Sequence, residues 1–367
     1  MSVPMKRQLV VVFMVAAVSM TTSQTRAQDV LGGTGITGAG STFIYPILSR
    51  WSRDYRAAAA RGGDFPLPNS GLEDPPASTA LEYEPVGSLA GMLRVKDRRV
   101  DFGASDMPLK PDELASANLA QFPIVIGGVV VTTNIDGVGP GELRLTGPIV
   151  ADIFLGTITK WSNEAIRALN PRLTLPDAPI SVVHRSDGSG TTFNFTDYLS
   201  KASPQWKTRV GSGLLVSWPT GTAVKANEGV ARQIQRVKNS IGYVDYSQAS
   251  QLALNDAVIQ NRSGRFVRPQ PSTFQAAAAG ANWNATEDFY VLLTDVAADD
   301  AYPITATVFI LMHKSAPRTR TAAALDFFKW SLERGSPVAE PLGYVPLPSS
   351  LIGQVRAYWA RAFKIRT

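Results

Sequence analysis

Three stretches of the chain set glycine, serine and threonine directly ahead of a segment with helical spacing: Gly38-Ala39-Gly40-Ser41-Thr42-Phe43, Gly87-Ser88 and Gly188-Ser189-Gly190-Thr191. A helix start leaves backbone N–H groups without partners and carries about half a positive charge. Glycine lets an anion approach that backbone, and serine and threonine hydroxyls add donors, so such ends hold phosphate or sulfate without catalytic machinery. The same residue types are also ordinary N-caps, and one such cluster alone says no more than that. Arg185, just ahead of the third cluster, adds a planar fork able to grip two anion oxygens. Asp187 can orient that guanidinium, or the two can form a plain surface ion pair. Asp106 ends the run Asp101-Phe102-Gly103-Ala104-Ser105-Asp106. The carboxyl end of a strand is where α/β sheets place their ligands, although the Met107-Pro108 that follows also suits a turn or cap residue.

These residues need strands and helices to bring them together. Ile44, Ile47, Leu48, Trp51 and Tyr55 recur at helical spacing. Strands are predicted over 81–86 and 100–105, with a helix between them over 89–97. Pro123 to Thr133 and Ile304 to Met312 are continuous apolar runs, as in strands buried on both faces. They are the candidates for strands passing between two lobes. Ser162 is expected to cap a helix over 163–169 that stops at Asn170-Pro171. Further strands are predicted over 180–184 and 241–244, and further helices from Thr191, over 230–237 and over 322–332. Strands alternating with helices argue for α/β layers with mostly parallel sheets. Residues 57–80, rich in Ala, Gly and Pro, read as a surface loop with little fixed structure.

A chain of 367 residues suggests two domains at about 150 residues each. Lys6 and Arg7, the apolar stretch Leu9 to Met20, and the small and polar residues up to Thr25-Arg26-Ala27 form a secretory signal peptide, with cleavage expected after Ala27. That stretch is shorter than the roughly 20 residues a bilayer span needs. With no cysteine there is no disulfide, no thiolate metal site and no thiol for a lipid anchor, so a soluble periplasmic protein is expected. Removing Lys6, Arg7 and Arg26 from 36 basic residues leaves 33 against 30 acidic ones. This mild, scattered excess is no footprint for nucleic acid.

The chain resembles the periplasmic phosphate-binding proteins of high-affinity bacterial phosphate ABC transporters. The likeness runs from about Thr37 to Phe363, and its carriers are TGAGSTF (37–43), VDFGASDMPL (100–109), QFPIVIGGVVV (121–131), LGTITKWSNEAI (155–166), LNPRLTLP (169–176), VHRSDGSGTTFNFTDYL (183–199), IGYVDY (241–246) and AYPITATVFILMHK (301–314). It implies a type II periplasmic binding protein in which two α/β lobes, joined by crossing strands, close on a ligand between them. Lobe I would comprise 28–130 and 300–367, and lobe II 131–299. It also implies a phosphate site: Thr42 and Phe43 donating from the first cluster, Ser88 from the second, and Ser189, Gly190 and Thr191 from the third. Arg185 would pair with the anion, held by Asp187, and Asp106 would be the sole acceptor. Phosphate still carries a proton at neutral pH and can donate it to Asp106, whereas sulfate cannot, and an unpaired buried acceptor costs about 1–3 kcal/mol or more. Permease subunits in the inner membrane would be the partners; no cofactor, metal or nucleic acid is implied, and a monomer is expected.

Two features depart from the family pattern. Gly87-Ser88-Leu89-Ala90-Gly91 lacks the usual second serine and paired glycines, which leaves the path of that loop open, and 57–80 is longer than expected. Other motifs carry less. Gly33-Thr34-Gly35-Ile36-Thr37-Gly38 has dinucleotide-fingerprint spacing but follows a signal peptide rather than a strand. Gly35 to Thr42 has P-loop glycine spacing with Ser41 at the lysine position. A secreted phosphoesterase would need a metal cluster or a nucleophile with its base, yet the only histidines are His184 and His313, far apart in sequence. A receptor for another oxyanion such as sulfate is disfavoured by Asp106.

Overall fold

The computed structural model describes residues 35–60, 81–283 and 287–364. The signal peptide and residues 61–80 lie outside the described residues. From the N-terminal side come β1 (Ile36–Gly40), α1 (Tyr45–Ala60), β2 (Leu81–Glu84), α2 (Ser88–Lys96), β3 (Phe102–Ser105) and α3 (Pro111–Ser116). Then follow β4 (Leu119–Asn134), β5 (Arg144–Leu145), α4 (Gly147–Phe154), α5 (Glu164–Leu169), β6 (Ser181–Arg185), α6 (Gly190–Ala202) and α7 (Pro204–Arg209). The chain continues through β7 (Thr222–Val224), α8 (Ala226–Arg236), β8 (Ser240–Asp245), α9 (Tyr246–Gln251), β9 (Asn255–Asp256), β10 (Val258–Gln260), β11 (Phe266–Val267) and α10 (Pro271–Ala279). It closes with β12 (Thr305–His313), α11 (Arg318–Arg334) and α12 (Ser349–Phe363).

The main sheet runs β2-β1-β3-β12-β4-β8-β6-β7, with β9 also on β4. Its flanks are parallel: β1 with β2 and β3, and β6 with β7 and β8. Its centre is antiparallel, because β12 returns from the far end of the chain between β3 and β4, and β8 opposes β4. The expectation of a mostly parallel sheet therefore holds only at the flanks. Crossover helices link the flanking strands, whereas β12 arrives without a crossover and is free to run the other way.

β4 is buried along all but its last residue, as its apolar run requires. Residues 119–128 pair with β12, and residues 129–134 pair with β8. β4 thus carries hydrogen bonding from the half built on β2-β1-β3-β12 into the half built on β8-β6-β7. β12 pairs only with β3 and the first part of β4, so of the two apolar runs it is β4 that passes between the halves.

Two local readings are corrected. Residues 57–60 extend α1 rather than opening a loop, since Ala57 to Ala60 favour helix. Asn163, not Ser162, caps α5: its side chain accepts from Ala165 N at 3.0 Å. Ser162 Oγ instead donates to Asp177 Oδ1 at 2.6 Å. Among the described residues no helix is long and apolar enough to cross a membrane.

Candidate functional site

The three glycine-serine-threonine clusters meet. Thr42 and Phe43 lie in the bend between β1 and α1. Ser88 is the first residue of α2, after Gly87 at φ 93°, and no side chain caps that helix. Gly87 has to be glycine on two counts: the left-handed φ, and a Cβ that would stand 2.7 Å from Gly188 O across the cleft. Ser189 caps α6 and Gly190 opens it. A Cβ at Gly190 would stand 2.5 Å from Ser88 Oγ and 2.7 Å from Asp106 Cβ, so this backbone also tolerates no side chain.

Contacts cross between the halves here. Ser88 Oγ accepts from Gly190 N at 3.1 Å and from Asp106 N at 3.3 Å, which leaves its own proton to donate. Leu89 N donates to Gly188 O at 3.1 Å, and Asn194 Nδ2 donates to Asp106 O at 2.7 Å. Leu214, whose carbonyl accepts from Ser189 N, packs on the apolar cluster of Met92, Leu109 and Leu311 in the opposite half.

Arg185, at the carboxyl end of β6, has a side chain only 1% exposed. Its Nε donates to Asp187 Oδ1 at 2.8 Å and its Nη2 to Asp187 Oδ2 at 2.5 Å. Asp187 also accepts from Ala226 N at 3.0 Å. Burial alone would raise the Asp187 carboxyl, but the bonds and charge of Arg185 outweigh it and hold the group below the ordinary carboxylate range. The pair is thus a buried fork rather than a surface bridge. Asp187→Ala would leave that guanidinium without its partner, and urea unfolding should then register a loss of about 3–5 kcal/mol.

Asp106, just past β3, is buried. Ser41 Oγ donates to its Oδ1 at 2.5 Å, and Thr191 also bonds its side chain. Burial pushes its pKa up to about 7, against the opposing pull of Ser41, Arg185 and Thr191. The Thr42 hydroxyl is buried with no partner among the described residues. A buried hydroxyl of that kind calls for an explanation. Phe43 N is engaged, donating to Ser41 Oγ at 3.0 Å, whereas Ser189 Oγ accepts from Thr192 N at 3.1 Å and keeps its own proton to donate.

Sequence reasoning missed three groups. Ser41 ties the first cluster to Asp106. Asn227 joins Arg185, donating through Nδ2 to Thr191 Oγ1 at 3.2 Å and to Asp245 Oδ2 at 2.7 Å. Asp245 ends β8 as Asp106 directly follows β3, so the strand-end rule that pointed to one pointed equally to the other. The histidines stay apart in structural settings. His184 stacks on Trp218 at 4.7 Å, and His313 Nδ1 lies 3.1 Å from Ser315 Oγ. No cluster of three or more metal-ligating side chains occurs among the described residues.

A guanidinium, orphan and spare hydroxyls and helix starts from both halves thus converge on one buried carboxylate. The arrangement can grip a tetrahedral anion and test it for a proton. Residues 19–334 match the family model of the PBP superfamily domain. The chain is 48% identical over 330 residues to a phosphate-binding protein PstS of Xylella fastidiosa, covering 90% of this chain and 86% of that protein. It is 44% identical to the PstS of Pasteurella multocida, covering 90% and 91%. The crystal structure of a phosphate-binding protein from Stenotrophomonas maltophilia superposes with a TM-score of 0.62 at 18% identity, covering 89% of this chain and 94% of that one, and shares the type II binding-protein fold. A family match across residues 19–334 and 48% identity over 330 residues make this chain a member of the PBP superfamily, within the family of phosphate-binding proteins PstS.

Proposed function

We propose that this chain binds inorganic phosphate in the periplasm and delivers it to the permease of an ABC importer. The observation that carries the reading is the convergence of Arg185 and helix starts from both halves on the buried carboxylate of Asp106. Arg185 holds the anion, steadied by Asp187. Thr42, Phe43, Ser88, Ser189, Gly190 and Thr191 supply hydroxyl and backbone donors, some exchanging a present protein partner for an anion oxygen. Asp106 accepts the phosphate proton and so turns away sulfate. Lobe I spans 28–130 and 300–367, and lobe II 131–299; the two swing about β4, which passes between them. Residues 1–27 direct export and are removed, and the mature chain acts as a soluble monomer. Binding alone accounts for these residues, and no reaction is assigned to them.

Calorimetric titration of the mature protein, stripped of ligand, is the test. One phosphate per chain at micromolar dissociation constant or tighter, about −8 kcal/mol or better, is expected, with no sulfate heat. Sulfate bound as tightly as phosphate, or no anion bound at all, would sink the reading.

A further inference from the structure

Asp245 is fully buried, yet its hydrogen-bond partners are neutral. Oδ2 accepts from Asn227 Nδ2 at 2.7 Å and Oδ1 from Gln248 N at 2.9 Å. The nearby cation, Arg185, is already held two-pronged by Asp187, and its Nη1 donates to Asn227 Oδ1. The charged and titratable groups around Asp245 are Arg185 with Asp187 behind it on the β6 side, Asp106 from the end of β3, Tyr243 on its own strand, and Tyr344 from the segment before α12. Fully ionised, three carboxylates outnumber one guanidinium before any anion arrives. A phosphate dianion would add to that excess in a low-dielectric site, where like charges repel far more strongly than in water.

A proton must therefore enter with the anion, and the geometry selects where it rests. Asp187 stays charged because Arg185 and Ala226 N bind it. Asp106 is fixed as an acceptor by Ser41 and Thr191 and faces the proton of phosphate itself. Asp245 remains, one amide away from the anion: Asn227 links it to Arg185 and Thr191.

We propose that Asp245 takes up the proton linked to phosphate binding, a solvent proton adding to its carboxylate as the anion enters and leaving as the anion departs. It is a positioning residue, acting through Asn227, and the inference rests on the phosphate reading above. Burial has already raised Asp245 to about 7, so a small further push suffices near neutral pH.

Phosphate titrations at pH 8 in buffers of low and high ionisation enthalpy count the protons taken up per anion. The parent should take up close to one. Asp245→Asn should take up close to none and bind phosphate about tenfold more tightly, one pH unit of linkage being relieved. Asp245→Glu, which keeps a carboxyl, should restore the uptake, a recovery that a packing role would not produce. No uptake by the parent, or undiminished uptake in Asp245→Asn, overturns the proposal, since the proton would then travel on the anion or on Asp106. Should the Asn variant not fold, infrared difference spectra decide: a protonated-carboxyl C=O band must appear on phosphate addition to the parent and must persist in Asp106→Asn. A parent that gives no phosphate heat at all defeats the functional reading instead.

Discussion

In Asp106→Asn, sulfate is expected to bind within about tenfold of phosphate, where the parent separates the two by roughly 10⁴-fold or more. The amide keeps an oxygen for Ser41, which donates to Asp106 Oδ1, and offers an N–H to the anion. Sulfate then meets a donor in place of a buried acceptor. The parent itself should approach this behaviour in acid. Burial raises Asp106 to about 7, so below that pH its carboxyl becomes a donor and sulfate affinity should climb between pH 8 and pH 5. The stability effect has a definite sign. A raised carboxyl imposes no penalty below its unfolded value of 3.8, a growing one up to about 7, and the full one above. Asp106→Asn should therefore gain most over the parent at pH 8 and least near pH 4. Paired phosphate and sulfate titrations with thermal melts across pH 4–8 check both statements; a variant that still refuses sulfate would remove Asp106 from the selectivity argument.

Arg185→Met should lose phosphate affinity by on the order of a thousandfold or more. Truncating one partner of a buried, hydrogen-bonded charge pair costs about 2–5 kcal/mol, and about 4 kcal/mol is a thousandfold. The methionine fills much of the same space, but Asp187 loses its partner and Asp106 and Asp245 lose the cation that draws down both their pKa values. Equilibrium dialysis against labelled phosphate measures the loss, with circular dichroism as the check on folding. A well-folded variant weakened less than tenfold would show that helix starts and hydroxyls suffice without the guanidinium.

The parts of this molecule legible in its sequence are those governed by local rules. Burial on both faces writes a continuous apolar run, and β4 and β12 fell where such runs stand. Glycine beside serine or threonine marked the three approaches to the cleft. Legibility stopped where a partner lay far along the chain. Ser162 and Asn163 are equally good caps in isolation; only Asp177 decides between them. The antiparallel centre of the sheet depends on β8 opposing β4 and on a strand arriving from beyond residue 300, neither of which alternation of strands and helices encodes. Asn227 was invisible for the same reason, since its worth lies in joining Arg185, Thr191 and Asp245, each from a different element.

The contacts across the cleft at Leu89 N–Gly188 O, Ser88 Oγ–Gly190 N and Leu214 are made between protein groups alone. In the proposed function these contacts add to the anion's own hold on the two halves. The same few side chains then set both how firmly phosphate is captured and how readily it is given up, so shortening Leu214 should weaken capture and speed release together.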